Sequence, residues 1–292
     1  MFYCSPFLIE TICKIMSTKT SSYQYDLLDE RVQDEEFKRL QRQASGLLQI
    51  ENRIWSEIGF FPGATVLDVG CGSGMVTQAL AECVYPGHVV GVDVSEALIE
   101  RGQQAYRKTW KNSDEQRTRY FRLRQGDAYN LPFPANSFDV VHARFVMQHL
   151  SEPTQALKEI RRVLKPDGLV CLIDVDKGWS GLYPEPETST ELDEAIIQKQ
   201  LSQGGDPWVG RKLSWHLNNT GFSKSKTDIK LVDSDQIGFS KFLEMLAFGK
   251  CNKGGSDEIS TLREKAQPDI ADLMNSPYVW SGFALFVATG RK

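Results

Sequence analysis

Two kinds of hydrophobic spacing divide the chain. Between residues 26 and 58 the apolar positions Phe37, Leu40, Ala44, Leu47, Leu48, Ile50, Ile54, Trp55 and Ile58 recur at steps of three and four. That is the period of an amphipathic helix. Polar Asp34, Glu35, Lys38, Arg39, Arg42 and Glu51 fill the other face, and Ser45-Gly46 predicts a break into two helices. From residue 64 short strand-like runs replace that period, at 64–67, 88–93, 120–125, 139–143 and 169–175. Short apolar runs bounded by turns suit strands buried on both faces. Helix-like stretches at 75–83, 96–106 and 152–164 lie between them, the last stopped by Lys165-Pro166-Asp167-Gly168. The alternation predicts an α/β fold with a parallel sheet.

Past Asp176 the alternation stops. Residues 178–187 read as a Pro/Gly-rich loop carrying Trp179 and Tyr183. Helices are expected near 188–202 and 207–220, a strand at 223–232, helices across 236–274 with a loop at 252–256, and a final strand at 279–289. Three regions follow. Residues 1–22 are expected to form a disordered extension, with Met16 an alternative start, and 23–60 a helical lid. Residues 61–292 form the α/β domain, its helical inserts at about 177–220 and 236–274 walling a pocket.

The chemistry centres on the end of the first strand. Ala-Thr-Val-Leu leads to Asp68 and then Gly70, Gly72 and Gly74, with a helix following at once. A strand, a glycine turn and a helix make a ligand crevice at the carboxyl end of a parallel sheet. The dinucleotide fingerprint requires G-x-G-x-x-G, whereas the spacing here is G-x-G-x-G with Met75 where the third glycine would fall. A carboxylate at the strand tip also repels a pyrophosphate and favours a cationic ligand. The second strand ends in Asp93, 19 residues beyond Gly74, about the distance expected for an acid that binds a ribose. Val94 beside it suits contact with an adenine face, and Ser95 caps the next helix.

These residues resemble motif I, D-x-G-x-G-x-G, of the class I S-adenosylmethionine (SAM)-dependent methyltransferases. The segment Leu131-Pro132-Phe133-Pro134-Ala135-Asn136-Ser137-Phe138-Asp139 is similar to the L-P-F-x-x-x-S-F-D signature of the branch containing quinone-biosynthesis enzymes. The resemblance implies a Rossmann-like seven-stranded sheet of order 3-2-1-4-5-7-6 with strand 7 antiparallel. It implies SAM as cofactor, with S-adenosylhomocysteine as product. The turn Gly70, Cys71, Gly72 and Gly74 with Asp68 would take the methionine end, Asp93 and Val94 the ribose and adenine face, and Asp127-Ala128 the adenine edge. Arg144-Phe145 would stand beside the sulfonium. The leader resembles one found in small-molecule methyltransferases, where Tyr25, Arg39 and Gln43 would close over the cofactor. The same three residues also fit an ordinary solvated helix face, and the three acids also fit caps or turns.

Methyl transfer needs positioning and, for a hydroxyl acceptor, a base. His149, just after the fourth strand, and Asp174, at the end of the fifth beside Asp176, are the catalytic candidates. A loop-stabilising histidine and a solvated or capping aspartate are the alternatives.

Composition narrows the partners. The 292 residues carry a net charge of -4 with no basic run, which speaks against a nucleic-acid surface. No [DN]-P-P-[YF] segment is present. The six cysteines are scattered without C-x-x-C, so neither metal nor disulfides are expected, and a cytoplasmic location is the simpler reading. The apolar start contains Glu10 and is too short to span a membrane. Trp179, Tyr183, Trp208, Trp215, Phe239, Phe242 and Phe248 fall in the inserts, which favours a small aromatic or apolar acceptor of the natural-product tailoring type. A quinone-type C-methyltransferase, a SAM-binding protein without transferase activity and a nucleotide-dependent oxidoreductase are the alternatives. A leader that covers its own site or a neighbour's leaves a homodimer open.

Overall fold

The computed structural model describes residues 21–110, 120–245 and 258–292. Seven strands form one sheet: β1 (Thr65–Val69), β2 (His88–Asp93), β3 (Phe121–Gln125), β4 (Phe138–Arg144), β5 (Leu164–Tyr183), β6 (Ser223–Asp233) and β7 (Trp280–Arg291). Their order is β3-β2-β1-β4-β5-β7-β6, with β7 antiparallel to both β5 and β6. The expected topology is therefore the observed one. Parallel pairing from β3 through β5 brings the carboxyl ends of those strands to one edge, where ligands bind in such folds.

Helices α2 (Met75–Val84), α3 (Glu96–Trp110) and α4 (Pro153–Val163) make the crossovers. The sheet is buried on both faces. One core joins Val66, Leu80, Val89, Val140 and Cys171 to Leu47, Ile54 and Trp55 of the leader; the other joins Leu67, Val141, Leu172 and Phe286 to α4. Ser95 caps α3 as the sequence predicts, its Oγ accepting from Leu98 N–H at 3.1 Å.

The leader departs from expectation. It is one continuous helix, α1 (Glu30–Ile58), without a break at Ser45-Gly46, preceded by a 3-10 turn at Tyr25–Leu27. An interior glycine costs about 1 kcal/mol. Ala44, Leu47, Ile54 and Trp55 are all buried along one face, and full burial of a large apolar side chain contributes roughly 1.5–3 kcal/mol. Tertiary packing therefore carries the helix through Gly46. The second half of α1 is core, and only the first half can act as a roof.

Other boundaries also move. Ser21 forms a bridge with Leu150, and Ser22 N–H donates to His149 O at 2.9 Å, so pairing starts before residue 23. The loop expected at 178–187 is largely strand. After a register shift between Val175 and Ser180, β5 resumes against β7 through Tyr183, opposite Trp280. Asp176 Oδ1 accepts from Gly178 N–H at 3.0 Å and closes the irregularity. Short-range sequence reads the glycines as a turn; the antiparallel partner strand supplies the hydrogen bonds that keep the segment extended.

The inserts are helical as expected. They comprise α5 (Glu187–Ser202), a 3-10 turn at Gly210–Lys212, α6 (Leu213–Asn219), α7 (Ser234–Ile237), α8 (Phe239–Met245) and α9 (Glu258–Asn275). The loop expected at 252–256 lies outside the described residues, as do residues 1–20. No described helix is long and apolar enough to cross a membrane.

Candidate active site

Two adjoining cavities open at the carboxyl edge of the sheet. The smaller, about 270 Å³, is lined by the turn after β1, the ends of β2 and β3, and α1. The larger, about 580 Å³, lies between the leader, the end of β5 and helices α5 and α9. They share a wall of Tyr23, Arg39, Gln43, Phe145, Gln148 and His149.

The smaller cavity gathers most of the expected cofactor residues. Gly70, Cys71, Gly72, Asp93, Val94, Asp127, Ala128, Arg144 and Phe145 all line it. Gly70 and Gly72 have φ of 68° and 53°, conformations that favour glycine. A Cβ on Gly70 would collide with Val146, whereas one on Gly72 would meet open space. Asp93 Oδ2 accepts from Gly72 N–H at 2.8 Å, and Oδ1 from Ser95 N–H at 2.9 Å. The acid thus clamps the glycine turn to the tip of β2. Burial pushes the Asp93 carboxyl above the ordinary carboxylate range, against these two donors. Val94 is exposed at the rim. Asp127 Oδ1 accepts from Tyr129 N–H at 2.9 Å, which fixes the acid in a tight turn.

Asp68 and Gly74 are elsewhere. Asp68 is buried beneath the turn, not on the cavity wall. Its Oδ2 accepts from Thr77 Oγ1 at 2.6 Å, and its Oδ1 faces His142 Nδ1 at 2.8 Å. The sequence places an acid at the strand tip but not the direction of its side chain; Thr77 and His142 draw it inward. Gly74 starts α2 with φ of 80° and does not reach the cavity.

The leader contributes differently from the expectation. Tyr25 OH donates to Gln33 O at 2.7 Å and lines only the larger cavity, its phenol pushed up to about 12 by burial. Tyr23, missed by the sequence reading, lies in the shared wall. Its hydroxyl donates to Glu36 Oε1 at 2.8 Å, and burial together with the Glu36 charge raises its pKa well above the phenol norm. Arg39 grips the same carboxylate with two contacts of 2.7 Å. Glu36 and Arg39 three residues apart on a helix form a pair that sequence spacing permits. Their burial is not visible in that spacing.

Arg144 donates through Nε to the buried Glu51 of α1, and its guanidinium lies 4.3 Å from the Phe145 ring centre. Phe145 has φ of 55°, unusual for a bulky residue, and this turns the chain so that its ring faces both cavities.

The two catalytic candidates separate. His149 is in the shared wall, its Nδ1 2.9 Å from Ser22 Oγ and its ring against Tyr23. Burial, with Arg39 nearby, lowers its pKa to about 4. Asp174 is fully buried and lines neither cavity. Burial pushes its carboxyl up to about 7, while its oxygens accept from Val175 N–H at 2.9 Å and Gln148 N–H at 3.1 Å. It steadies the loop bearing Gln148 and His149 and touches no acceptor space. Asp176 lines the larger cavity but is held by Arg211 at 2.6 and 2.5 Å. Although burial opposes it, that guanidinium keeps the carboxyl below its ordinary value.

The aromatic wall is also revised. Trp179, Tyr183, Trp208, Trp215, Phe239 and Phe242 line neither cavity, and Phe248 lies outside the described residues. Phe242 is core, whereas Trp179, Tyr183 and Trp215 are exposed. Tyr23, Tyr25, Phe145 and Phe283 supply the rings, and Leu28, Val32, Ile196 and Ile259 the aliphatic surface. No group of three or more His, Cys, Asp or Glu among the described residues is placed to hold a metal ion.

A seven-stranded sheet of this order, with an acid at the tip of β2 clamping a glycine turn after β1, is the class I SAM-dependent methyltransferase fold. The comparisons agree. Residues 67–172 match the family model described as a methyltransferase domain. An uncharacterized methyltransferase of Schizosaccharomyces pombe is 36% identical over 154 residues, which is 52% of this chain and 55% of the relative. A demethylmenaquinone methyltransferase of Staphylococcus aureus is 38% identical over 126 residues, 43% of this chain and 48% of the relative. The chain thus spans about half the length of these curated relatives. The crystal structure of a SAM-dependent methyltransferase from Thermotoga maritima is similar in fold, with a TM-score of 0.51 at 17% identity over 88% of this chain and 95% of that one.

Proposed function

We propose that the protein transfers the methyl group of SAM to a small metabolite with an apolar body, as natural-product tailoring enzymes do. The observation that carries this reading is the pair of cavities meeting at one wall. The smaller has the acids and glycine turn suited to a nucleoside, and the larger has an aliphatic and aromatic lining suited to an acceptor.

Bound in the smaller cavity, the cofactor supplies a methyl carbon activated by positive sulfur. Asp93 takes the ribose hydroxyls, because each carboxylate oxygen keeps a lone pair beyond those used by Gly72 and Ser95. Val94 covers the adenine face and Asp127 meets its amino edge. Gly70 and Gly72 let the backbone approach the methionine end without a Cβ in the way. Tyr23, Arg39, Gln43 and Gln148 hold the acceptor against the shared wall.

His149 stays neutral at physiological pH, since burial holds its pKa near about 4. A neutral imidazole keeps one nitrogen lone pair, and contact with Ser22 Oγ fixes the Nδ1 side of the ring. That lone pair accepts a hydrogen bond from a hydroxyl acceptor and orients it, since an imidazole with a pKa of about 4 is a weak base; a nitrogen or activated carbon acceptor needs no base.

Quinone-precursor C-methylation is the second reading, favoured by the 38% identity to a demethylmenaquinone methyltransferase across the cofactor-binding half. A net charge of -4 supports a metabolite over a nucleic acid as acceptor. The test is transfer of label from radiolabelled SAM to a panel of aromatic, indolic, terpenoid and quinone-precursor acceptors, with tRNA as control. Labelling of one small-molecule class is the expected result. Labelling of tRNA alone, or binding without transfer to any acceptor, counts against this reading.

A further inference from the structure

Two residues of α1 meet two residues of β4 like rungs of a ladder. Glu51 and Trp55 stand one helical turn apart, and His142 and Arg144 stand two apart on one face of the strand. Glu51 Oε1 accepts from Arg144 Nε, while the Trp55 ring meets the His142 ring edge-on at 5.8 Å and 86°. Glu51, Trp55 and His142 are fully buried. Among the described residues Glu51 Oε2, Trp55 Nε1 and His142 Nε2 have no hydrogen-bond partner.

This is an expensive way to fasten a helix to a sheet. A buried ion pair is often matched or surpassed in stability by apolar residues of similar volume, and an unpartnered buried carboxylate oxygen adds to the cost. Leu47 and Ile54 on the same helix show the apolar solution already in use nearby. What the carboxylate adds is direction. Arg144 is the point where the ladder reaches the smaller cavity, and its guanidinium is held between Glu51 and the Phe145 ring, with Gln43 O at 3.5 Å.

We propose that Glu51 is a positioning residue for the cofactor site: from inside α1 it orients the Arg144 guanidinium at the cavity wall. The second half of α1 is then part of the cofactor site and not a removable cover. This rests on the reading of the smaller cavity as a SAM site.

Calorimetric SAM binding to the full chain, with thermal melts alongside, tests it in four variants: Glu51→Gln, Glu51→Met, Arg144→Lys and the double Glu51→Gln/Arg144→Lys. Glu51→Gln should weaken SAM by about tenfold, and the double variant should lose little beyond Arg144→Lys alone, because residues that act through one contact do not add. Glu51→Met, which leaves the Arg144 guanidinium without its partner, should melt below wild type and bind SAM as poorly as Glu51→Gln when affinity is measured well below either midpoint, a loss that a merely structural role would not produce. Unchanged SAM affinity in both Glu51 variants, or losses that multiply in the double variant, overturns the proposal. If wild type binds no SAM, the cofactor reading itself fails.

Discussion

Asp68 on β1 and His142 on β4 are register partners, and their side chains meet across the sheet at 2.8 Å, Oδ1 to Nδ1. With Thr77 Oγ1 on the other oxygen, the acid ties the start of α2 to the middle of the sheet under the glycine turn. An acid in the place where a cationic ligand would be expected is spent on holding the cradle.

Asp68→Asn should therefore destabilise the fold more than it weakens the site. Breaking one partner of a buried polar pair costs about 3 kcal/mol. Urea unfolding should show that loss, while SAM affinity measured well below the midpoint should fall only slightly. A large loss of affinity with unchanged stability would return Asp68 to the cavity wall.

Asp93→Ala should do the reverse at the ligand. The carboxylate lines the cavity and is also the clamp on Gly72 N–H, so SAM binding should fall by at least about tenfold, the value of a charge-assisted contact, with the fold retained. Thermal-shift titration reads both, since ligand binding to the native state raises its melting temperature. SAM should stabilise wild type and not the variant; NAD should stabilise neither.

His149 makes a pH prediction with a definite sign. Its folded pKa of about 4 lies below the ordinary 6.5, so the unfolded chain binds the proton more tightly. This group contributes stability that is fully present above pH 6.5 and is lost as pH falls toward 4, by at most about 3 kcal/mol. His149→Gln should remove that part of the pH dependence, read as the difference between variant and wild-type unfolding curves. Asp174 works oppositely: with a folded pKa of about 7, its stabilising share is present at low pH and declines as pH rises from about 4 to 7. The variant's curve should thus fall more steeply with rising pH than that of wild type.

Tyr23→Phe should leave stability within about 1 kcal/mol, the usual worth of one hydrogen bond, because Arg39 still grips Glu36. Methyl transfer, once an acceptor is found, should drop by about tenfold through looser positioning at the shared wall. Equal turnover would remove Tyr23 from the acceptor site.

The fold was legible because its signals are local and repeated. Each strand from β1 to β4 is a short run closed by a turn, and the alternation with helices permits few topologies. Residues at the tips of β1 and β2 were legible for the same reason: the strand end fixes their place, as the Gly72–Asp93 contact confirms. The bridging of α1 across Gly46 and the extension of β5 past Gly178 were not, because long-range packing and an antiparallel partner outweigh local breakers there.

By itself, then, the sequence determined the α/β class and the elements that carry the crevice, since period and spacing are written along the chain, while the strand order followed from the resemblance of its motifs to a family. Only the tertiary structure decided which way each side chain turns. Asp68 and Asp174 face inward, Tyr23 and not Tyr25 reaches both cavities, and the inserts' tryptophans stay out of the pocket. Direction depends on partners distant in sequence, such as His142 for Asp68 and the Gln148 amide for Asp174, and no local pattern encodes where those partners arrive.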